Sequence, residues 1–284
     1  MEIPVRPTQK EKGERFRALH ARPGAFVIPN PWDAGTARIL EGLGFEALTT
    51  TSAGLAFTLG KRDGEGAVTR EETLANARAI VDAVDLPVAA DLENGFGHTP
   101  EAAAETIRLA GGAGLVGGSI EDSSGDPKRP IYDLQHAVER VAAAAEAAHR
   151  LPFPFVFVGR CENFLHGRPD LDGTIKRLQA YEKAGADCLY APGLVTAEQI
   201  RTVCASVKKP VNVIMGLKTG AFSVAELAAM GVRRISVGSA LSRVALGAFL
   251  DAAKEICEGG TFTRTQAALP MADAKDLVSG RTKS

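Results

Sequence analysis

Cysteines, aromatic residues and long apolar runs are scarce in this sequence, and its charges almost cancel. The four cysteines (Cys161, Cys188, Cys204 and Cys257) form no CxxC pair, so we expect neither a zinc cluster nor a disulfide framework. No apolar run approaches the ~20 residues that cross a bilayer, so no membrane partner is expected. The 33 basic and 34 acidic side chains leave a net charge of −1, which provides no field for gathering nucleic acid. Residues 1–6 contain no apolar signal core. The lack of a disulfide framework fits a reducing compartment, so we expect a cytoplasmic protein.

Glycine and proline are frequent by contrast, and short apolar runs recur along the chain. There are 30 glycines and 15 prolines, which indicates many turns. Eight runs are nearly continuous in apolar residues rather than alternating, a pattern typical of parallel strands buried on both faces. They span residues 26–29, 47–51, 88–91, 115–120, 155–159, 188–191, 211–215 and 234–238.

The segments between these runs carry signals for helix N-termini. Three capping boxes begin at Thr69, Thr196 and Ser223, each followed three positions later by Glu or Gln. Eight strand–helix repeats predict an α/β fold, a (β/α)8 TIM barrel, as a single domain over residues 1–284. We expect an extra helix before the barrel and a C-terminal extension from about residue 258. A doubly wound sheet is the alternative, but no GxGxxG turn follows the first run.

Charged side chains cluster after the third, fourth and fifth runs, at the end of the barrel where active sites of this fold lie. Asp91 and Glu93 are two apart on a segment expected to be extended, so both are predicted to face the same side. Glu121 follows the next run, and Arg160 the one after it. Converging carboxylates repel one another unless a cation intervenes, and Mg²⁺ is a hard ion that is commonly held partly through water. The alternative is a salt-bridge network at the rim of the barrel.

Four short motifs stand at or near the ends of these runs. Residues 91–97 read D-L-E-N-G-F-G, residues 120–122 read I-E-D, residues 159–162 read G-R-C-E, and residues 59–63 read L-G-K-R-D. Together they resemble the isocitrate lyase/phosphoenolpyruvate mutase superfamily, over about residues 26–247. They correspond to its D-x-D-x-G-[FY]-G, I-E-D and A-R-T-D motifs and to its gating segment. Glu93 stands where that superfamily usually has an aspartate.

The resemblance implies a role for each of these residues. Asp91 would bind Mg²⁺ or Mn²⁺ directly, and Glu93 and Glu121 would hold the ion through water. Arg160 would bind the carboxylate of a small-molecule substrate, and Asp63 would lie on a mobile loop that closes over the site. The candidate catalytic residues are therefore Asp63, Glu121 and Arg160. Further candidate substrate-binding residues follow the second run or lie on the seventh: Thr51, Ser52, Ala53, Gly54 and Asn212.

The resemblance also implies a reaction and an assembly. A 2-oxo acid chelates the metal ion, and cleavage next to its α-carbon leaves a pyruvate-type enolate whose charge the ion and Arg160 stabilise. The helix at residues 240–257 would be exchanged between the subunits of a homo-oligomer, either a dimer or a tetramer.

One loop departs from the superfamily pattern and leaves the reaction open. Lyases of this group carry K-[KR]-C-G-H after the fourth strand, where this chain has P-K-R-P-I-Y at residues 127–132. We expect carbon–carbon cleavage of a small 2-oxo or 2-hydroxy di- or tricarboxylate, by a lyase or a decarboxylase. The alternatives are a phosphoenolpyruvate or phosphonopyruvate mutase or hydrolase acting on a P–C bond, and a non-catalytic binder of a 2-oxo acid. His98 and His166 are further acid/base candidates. Cys161 beside Arg160 is a candidate thiol of lowered pKa, but the favoured interpretation is that it replaces the small threonine of the A-R-T-D motif.

Overall fold

The computed structural model describes residues 6–216 and 220–279, within which eight parallel strands form the predicted barrel. The strands are β1 (Phe26–Ile28), β2 (Leu48–Thr49), β3 (Val88–Asp91), β4 (Gly117–Glu121), β5 (Val156–Arg160), β6 (Cys188–Tyr190), β7 (Val211–Ile214) and β8 (Arg234–Ser236). Each pairs with the next along the chain from β2 to β8, and β8 pairs with β1. Between β1 and β2 the amide of Thr49 donates to the carbonyl of Pro29 at 3.1 Å, so the ring is nearly closed.

Helices alternate with the strands and begin where the capping patterns predict. They are α1 (Gln9–Ala21), α2 (Ala34–Gly42), α3 (Ser52–Thr58), α4 (Arg70–Ala83), α5 (Pro100–Gly112), α6 (Leu134–His149), α7 (Leu171–Lys183), α8 (Ala197–Ser206), α9 (Val224–Ala229), α10 (Ala240–Lys254) and α11 (Met271–Val278). The hydroxyls of Thr69, Thr196 and Ser223 each accept a hydrogen bond from the N–H three residues later. All three capping boxes are therefore present, and they fix the starts of α4, α8 and α9.

Apolar side chains pack in two layers, one inside the barrel and one between the strands and the surrounding helices. Phe16 of α1 is fully buried in the inner layer. A side chain at Gly117 would meet the Phe16 ring at 2.6 Å, so the start of β4 needs glycine where the helix approaches it. The guanidinium of Arg234, at the start of β8, lies 5.7 Å from the centre of the same ring. Helix α1 therefore covers the N-terminal end of the barrel, and the opposite end stays open.

Helix α10 differs from the other long helices because its apolar side chains face solvent. Of its fifteen residues Ser242 alone is buried, whereas Val244 and Phe249 are each 71% exposed. The helix ends at Lys254, earlier than predicted, and a π-helical turn (Glu255–Gly259) leads into the C-terminal segment. In the part of the chain that the structure describes, no helix is both long and apolar enough to cross a membrane.

Candidate active site

Three charged side chains meet where β3, β4 and β5 end. The strand register places Glu121 directly beside Arg160 and Asp91 beside Ser119. Nη1 of Arg160 lies 3.3 Å from Oδ2 of Asp91 and 3.2 Å from Oε2 of Glu121. The three charged side chains are between 14% and 16% exposed, so these attractions act where water screens them poorly. The structure brings these three predicted residues together.

Glu93 lies at the same cluster, but its backbone conformation differs from the expected one. The segment is not extended there, because β3 ends at Asp91 and Glu93 has a φ of 47°, in the left-handed region. This conformation is unfavourable for a residue with a side chain, and such residues concentrate at functional sites. The N–H of Glu93 donates to Oδ1 of Asp91 at 3.2 Å. Arg140 holds the next part of the loop, because its guanidinium donates to the carbonyl oxygens of Asn94 and Gly97.

Burial and mutual repulsion make the acidic groups of this cluster hold their protons more tightly. Burial, followed by the negative charges of Asp91 and Asp63, raises the pKa of Glu93 to about 7. Burial also raises the pKa of Glu121 well above its ordinary value, although Arg160 opposes the shift. For Arg160, burial acts to lower the pKa, but the surrounding carboxylates outweigh it and the pKa is raised. The cluster thus carries more negative charge than one guanidinium neutralises.

The loop that carries Asp63 is exposed, and it brings the Asp63 carboxyl group beside the cluster. Burial first, and the charge of Asp91 second, raise the pKa of Asp63, whose carboxylate also lies within hydrogen-bond reach of the Ser52 hydroxyl. That hydroxyl donates to Oδ2 of Asp91 at 3.0 Å. Behind Asp63, Nζ of Lys61 lies 2.5 Å from Oε1 of Glu72 in the first turn of α4. Asp63 therefore stands at the site, and the closure of its loop stays a prediction.

The predicted carboxylate-binding turn forms the start of α3. Thr51 caps this helix, because its hydroxyl accepts from the N–H of Gly54 at 3.3 Å. The first N–H groups of a helix have no acceptor within it, and Ser52 and Ala53, the first two residues of α3, line the inner pocket. A Cβ at Gly54 would meet Cβ of Trp32 at 2.9 Å, so glycine is needed there for packing. The N–H of Gly54 donates to the capping hydroxyl of Thr51, whereas the N–H groups of Ser52 and Ala53 take no part in the cap.

A buried polar network beneath the cluster was not among the residues chosen from the sequence. Oε1 of Glu162 lies 2.5 Å from Nε of Arg160, and the N–H of Glu162 donates to Oδ1 of Asp122 at 2.8 Å. Asp122 also pairs with Arg177 at 3.1 Å and accepts from the Tyr181 hydroxyl at 2.6 Å. These contacts fix the fork of Arg160 from behind. Asp122 and Glu162 belong to the I-E-D and G-R-C-E motifs quoted above. Their positions in the sequence do not indicate that the amide of Glu162 bonds to the carboxylate of Asp122.

A pocket of about 160 Å³ extends from the charged cluster into the barrel. Asn212 lines its floor and is 2% exposed, and Nδ2 donates to Oγ of Ser236 at 3.0 Å. Tyr190 and Arg234 line the same region. Asn212, a predicted substrate-binding residue, therefore lies at the floor of the pocket rather than at its mouth.

A second cavity, of about 640 Å³, adjoins the first on the other side of the Asp63 loop. Glu93 and Glu121 line it, together with His98, whose Nδ1 lies 2.7 Å from the Tyr132 hydroxyl. The two glutamates therefore lie between the two cavities, with Asp91 on the inner side.

Two of the other acid/base candidates lie apart from the inner pocket. His166 lies on the surface, where Nε2 contacts Oγ of Ser123 at 3.2 Å. The prediction of a reactive thiol at Cys161 is wrong, because burial raises the pKa of this thiol far above its ordinary value.

The donor set fits a hard divalent cation held largely through water. Asp63, Asp91, Glu93 and Glu121 supply carboxylate oxygens, the ligands that Mg²⁺ prefers. Within residues 6–216 and 220–279, no three ligand side chains come close enough to coordinate one ion directly. One direct carboxylate with others bridged by water satisfies this spacing, because Mg²⁺ keeps several of its waters.

The chain is a TIM barrel with a cluster of carboxylates and an arginine at the C-terminal ends of its strands, the place where enzymes of this fold have their active sites. Comparison with known proteins shows the family to which it belongs. A family profile described as phosphoenolpyruvate phosphomutase matches residues 16–257. A crystal structure from Burkholderia cenocepacia J2315, provisionally described as a lyase/mutase, is 59% identical with a TM-score of 0.91, and the match covers 94% of this chain and 95% of that chain.

Two enzymes of known reaction are also similar. The 2-methylisocitrate lyase of Escherichia coli K12 is 28% identical over 246 residues, which are 82% of this chain and 81% of that protein. The 2,3-dimethylmalate lyase of Eubacterium barkeri is 28% identical over 246 residues, with coverage of 84% and 83%. The chain belongs to the phosphoenolpyruvate mutase/isocitrate lyase superfamily, as its motifs predicted, and this superfamily consists of lyases and mutases that act on carboxylates.

Proposed function

We propose that this chain is a Mg²⁺-dependent lyase, with Mn²⁺ as a substitute ion, that cleaves a carbon–carbon bond in a small 2-oxo or 2-hydroxy di- or tricarboxylate. The observation that carries the proposal is the meeting of three partly buried carboxyl groups, Asp91, Glu93 and Glu121, with Arg160. Asp63 and the first turn of α3 lie beside them. Acidic ligands for a cation and donors for a carboxylate thus lie side by side at the C-terminal ends of the strands. That combination is what binding and cleaving a 2-oxo acid needs.

The substrate carboxylate is bound by donors that the fold has already oriented. Glu162 holds Nε of Arg160, and the guanidinium lines the pocket, where its Nη1 also contacts Asp91 and Glu121. The N–H groups of Ser52 and Ala53 approach the same space from α3. A carboxylate between them accepts charge-assisted hydrogen bonds from both sides.

Asp91, Glu93 and Glu121 would hold a divalent cation, which would supply Lewis-acid stabilisation of negative charge on the substrate oxygens. In a 2-oxo acid the electron pair of the breaking carbon–carbon bond would pass to the 2-oxo group and leave an enolate, and the other carbon would leave as CO2 or, after its hydroxyl gives a proton to a base, as a carbonyl. In a 2-hydroxy acid the hydroxyl would give its proton to a base and become the carbonyl of one product, and the electron pair would pass to the carboxylate of the other. Arg160 and the N–H groups of α3 are fixed donors toward that charge, so little reorganisation is needed. Asp63 closes over the pocket and excludes water, which protects the enolate from stray protonation.

In this proposal a carboxyl group transfers the proton. Among the described residues that line the inner pocket there is no cysteine or histidine. Asp63 is the carboxyl group on a loop that can approach and leave, which makes it the candidate proton carrier.

We also propose that α10 binds a second copy of the chain, in a dimer or tetramer. Its apolar face, with Val244 and Phe249 each 71% exposed, is far more apolar than a solvated helix face needs to be. Exchange of α10 between subunits would bury that face.

The function is tested by a substrate screen with purified protein and Mg²⁺. Isocitrate, methylisocitrate, oxaloacetate and phosphonopyruvate are each supplied, and pyruvate, glyoxylate and phosphate are measured. Release of pyruvate or glyoxylate from a carbon–carbon substrate, abolished by EDTA, supports the lyase. Conversion of phosphonopyruvate alone would instead support the mutase or hydrolase, a candidate that the name of the matching family profile favours. No turnover of any of the four acids would contradict the proposal.

A further inference from the structure

The floor of the inner pocket contains an arginine without a counter-charge. Arg234 begins β8 and is 5% exposed. Its Nε and Nη1 atoms are buried and make no hydrogen bond. Among residues 6–216 and 220–279 no carboxylate forms an ion pair with it. A buried guanidinium left in this way is costly, so the site favours an anion.

The groups that do surround Arg234 cannot supply that anion. Burial is the main cause that lowers its pKa, and the opposing groups are the thiol of Cys188 and the phenol of Tyr190. Burial raises the pKa of Cys188 to about 11 and that of Tyr190 to about 12, so both are neutral near pH 7. Below Arg234 lies the ring of Phe16, at 5.7 Å. On that side His20 is also uncharged at neutral pH, because burial and then Arg234 lower its pKa to about 3.

A second unsatisfied polar atom lies on the neighbouring strand. Asn212 is the register partner of Arg234, and its Oδ1 is buried without a hydrogen bond. Its Nδ2 donates to Oγ of Ser236. The Ser236 hydroxyl donates in turn to the carbonyl oxygen of Val213 at 3.4 Å. All three residues line the 160 Å³ pocket whose upper part holds Arg160 and Asp91.

We propose that Arg234, with Asn212 and Ser236, forms an anion subsite at the floor of the pocket that binds a second acidic group of the substrate. The inference rests on the proposed function, in which Arg160 and α3 bind the first carboxylate. A guanidinium takes a carboxylate or a phosphonate through the same paired hydrogen bonds. The substrate class is therefore a diacid, with one acidic group at each end of the pocket.

The subsite also bears on which bond breaks. A carboxylate bound to Arg234 is stabilised as an anion, and that stabilisation would be lost if the group left as CO2. The second acidic group is therefore retained in a product, and the bond that breaks lies between the two acidic groups. This favours a lyase over a decarboxylase.

The test is calorimetric titration of the intact protein in Mg²⁺ with three probes: pyruvate, 2-oxoglutarate and phosphonopyruvate. Arg234→Met removes the charge at similar length, and Arg233→Met is the matched control, because the neighbouring Arg233 lies outside the barrel and donates to the carbonyl oxygens of Arg22 and Gly24. Wild type should bind at least one of the two diacids more tightly than pyruvate. The Arg234→Met variant should lose at least tenfold in affinity for that diacid, about 1.4 kcal/mol. It should bind pyruvate within twofold of wild type, and Arg233→Met should change neither affinity.

The two diacids identify the group that is bound. Loss confined to 2-oxoglutarate assigns the subsite to a carboxylate, and loss confined to phosphonopyruvate assigns it to a phosphonate. Equal binding of pyruvate and both diacids by wild type, or unchanged diacid binding by Arg234→Met, would overturn the subsite. Equal losses for pyruvate and the diacids would also overturn it, since Arg234 would then act on the fold. If Arg234→Met does not fold, Arg234→Lys keeps the charge without the fork and should weaken diacid binding at least threefold, with pyruvate unchanged. Equal affinities of this lysine variant and wild type for all three acids would overturn the subsite as well.

Failure of the subsite and failure of the proposed function are distinguishable. Diacid binding that depends on Arg234, together with no turnover of any acid, supports the subsite and contradicts the function. Turnover of a diacid with kcat/KM unchanged in Arg234→Met contradicts the subsite and supports the function.

Discussion

Glu93 should make the metal-free protein less stable as the pH rises, and replacing it with glutamine should remove its contribution. The contributions of Glu121 and Asp63, whose pKa values are also raised, should remain. Burial and the charges of Asp91 and Asp63 raise the pKa of Glu93 from 4.5 to about 7 in the folded chain. Between these two pH values the folded protein keeps a proton that the unfolded chain has released. Stability therefore falls as the pH rises through this interval and levels off above it.

The size of the effect follows from the shift. A change of one pKa unit corresponds to ~1.4 kcal/mol, so the shift of Glu93 amounts to about 3 kcal/mol of lost stability above pH 7. Glu93→Gln keeps the size of the side chain and cannot ionise. At pH 8 this variant should exceed wild type by about 3 kcal/mol in free energy of unfolding, and at pH 4 the two should agree.

The assay is urea unfolding in EDTA across this pH range, with Glu71→Gln as the control because that glutamate is exposed in the first turn of α4. Adding Mg²⁺ should stabilise wild type more at pH 8 than at pH 5, since a cation binds the ionised carboxylate. Parallel stability profiles for wild type and Glu93→Gln in EDTA would refute the reasoning. They would mean that Glu93 is solvated or paired in a way that the structure does not show.

Four further results follow from the site. Asp91→Ala should abolish turnover with the fold intact, as should EDTA on wild type, and normal turnover in either case would contradict the cation. Arg160→Lys should raise KM at least tenfold, about 1.4 kcal/mol, because the fork is lost; an unchanged KM would remove Arg160 from substrate binding. Hydrogen exchange across residues 59–68 should slow when Mg²⁺ and a 2-oxo acid are added. Equal exchange with and without these ligands, together with full activity of the Asp63→Ala variant, would argue against gating. Phe249→Asp should yield monomers in analytical ultracentrifugation, whereas an unchanged mass would place the interface elsewhere.

The barrel could be predicted from the sequence because its strands are buried on both faces and therefore read as apolar runs. Each of the eight runs coincides with a strand: β3 has the predicted bounds, β4 and β5 end one residue later than predicted, and the other five strands are shorter than their runs. The second run was expected over residues 47–51, and β2 covers Leu48–Thr49. Thr51 belongs instead to α3, whose N-terminus it caps. A β-branched residue fits both a strand and a cap, so its identity did not decide between them.

Residues of the candidate site could be predicted where a charged residue type at the end of a strand was enough to place the side chain. They could not be predicted where the backbone conformation or the strand register determines the position of the side chain. Asp91, Glu121 and Arg160 meet because the C-terminal ends of parallel strands share one edge. The left-handed φ of Glu93 leaves no mark on the spacing of the motif. Arg233 and Arg234 look alike as a basic pair, yet the alternation of the strand puts the first outside the barrel and the second inside.

The charges of the inner pocket are separated along the axis of the barrel, and that separation orients a substrate. At the mouth, Asp63, Asp91 and Glu121 outnumber Arg160, so this end attracts cations. At the floor Arg234 is unpaired, so that end attracts anions. The carboxylates at the mouth would repel a diacid that enters alone. When a divalent cation enters with the diacid, the cation would bind the carboxylates and one acidic group of the diacid would reach Arg234. Metal and diacid should therefore bind with positive cooperativity, which by linkage means that each raises the affinity of the other by the same factor.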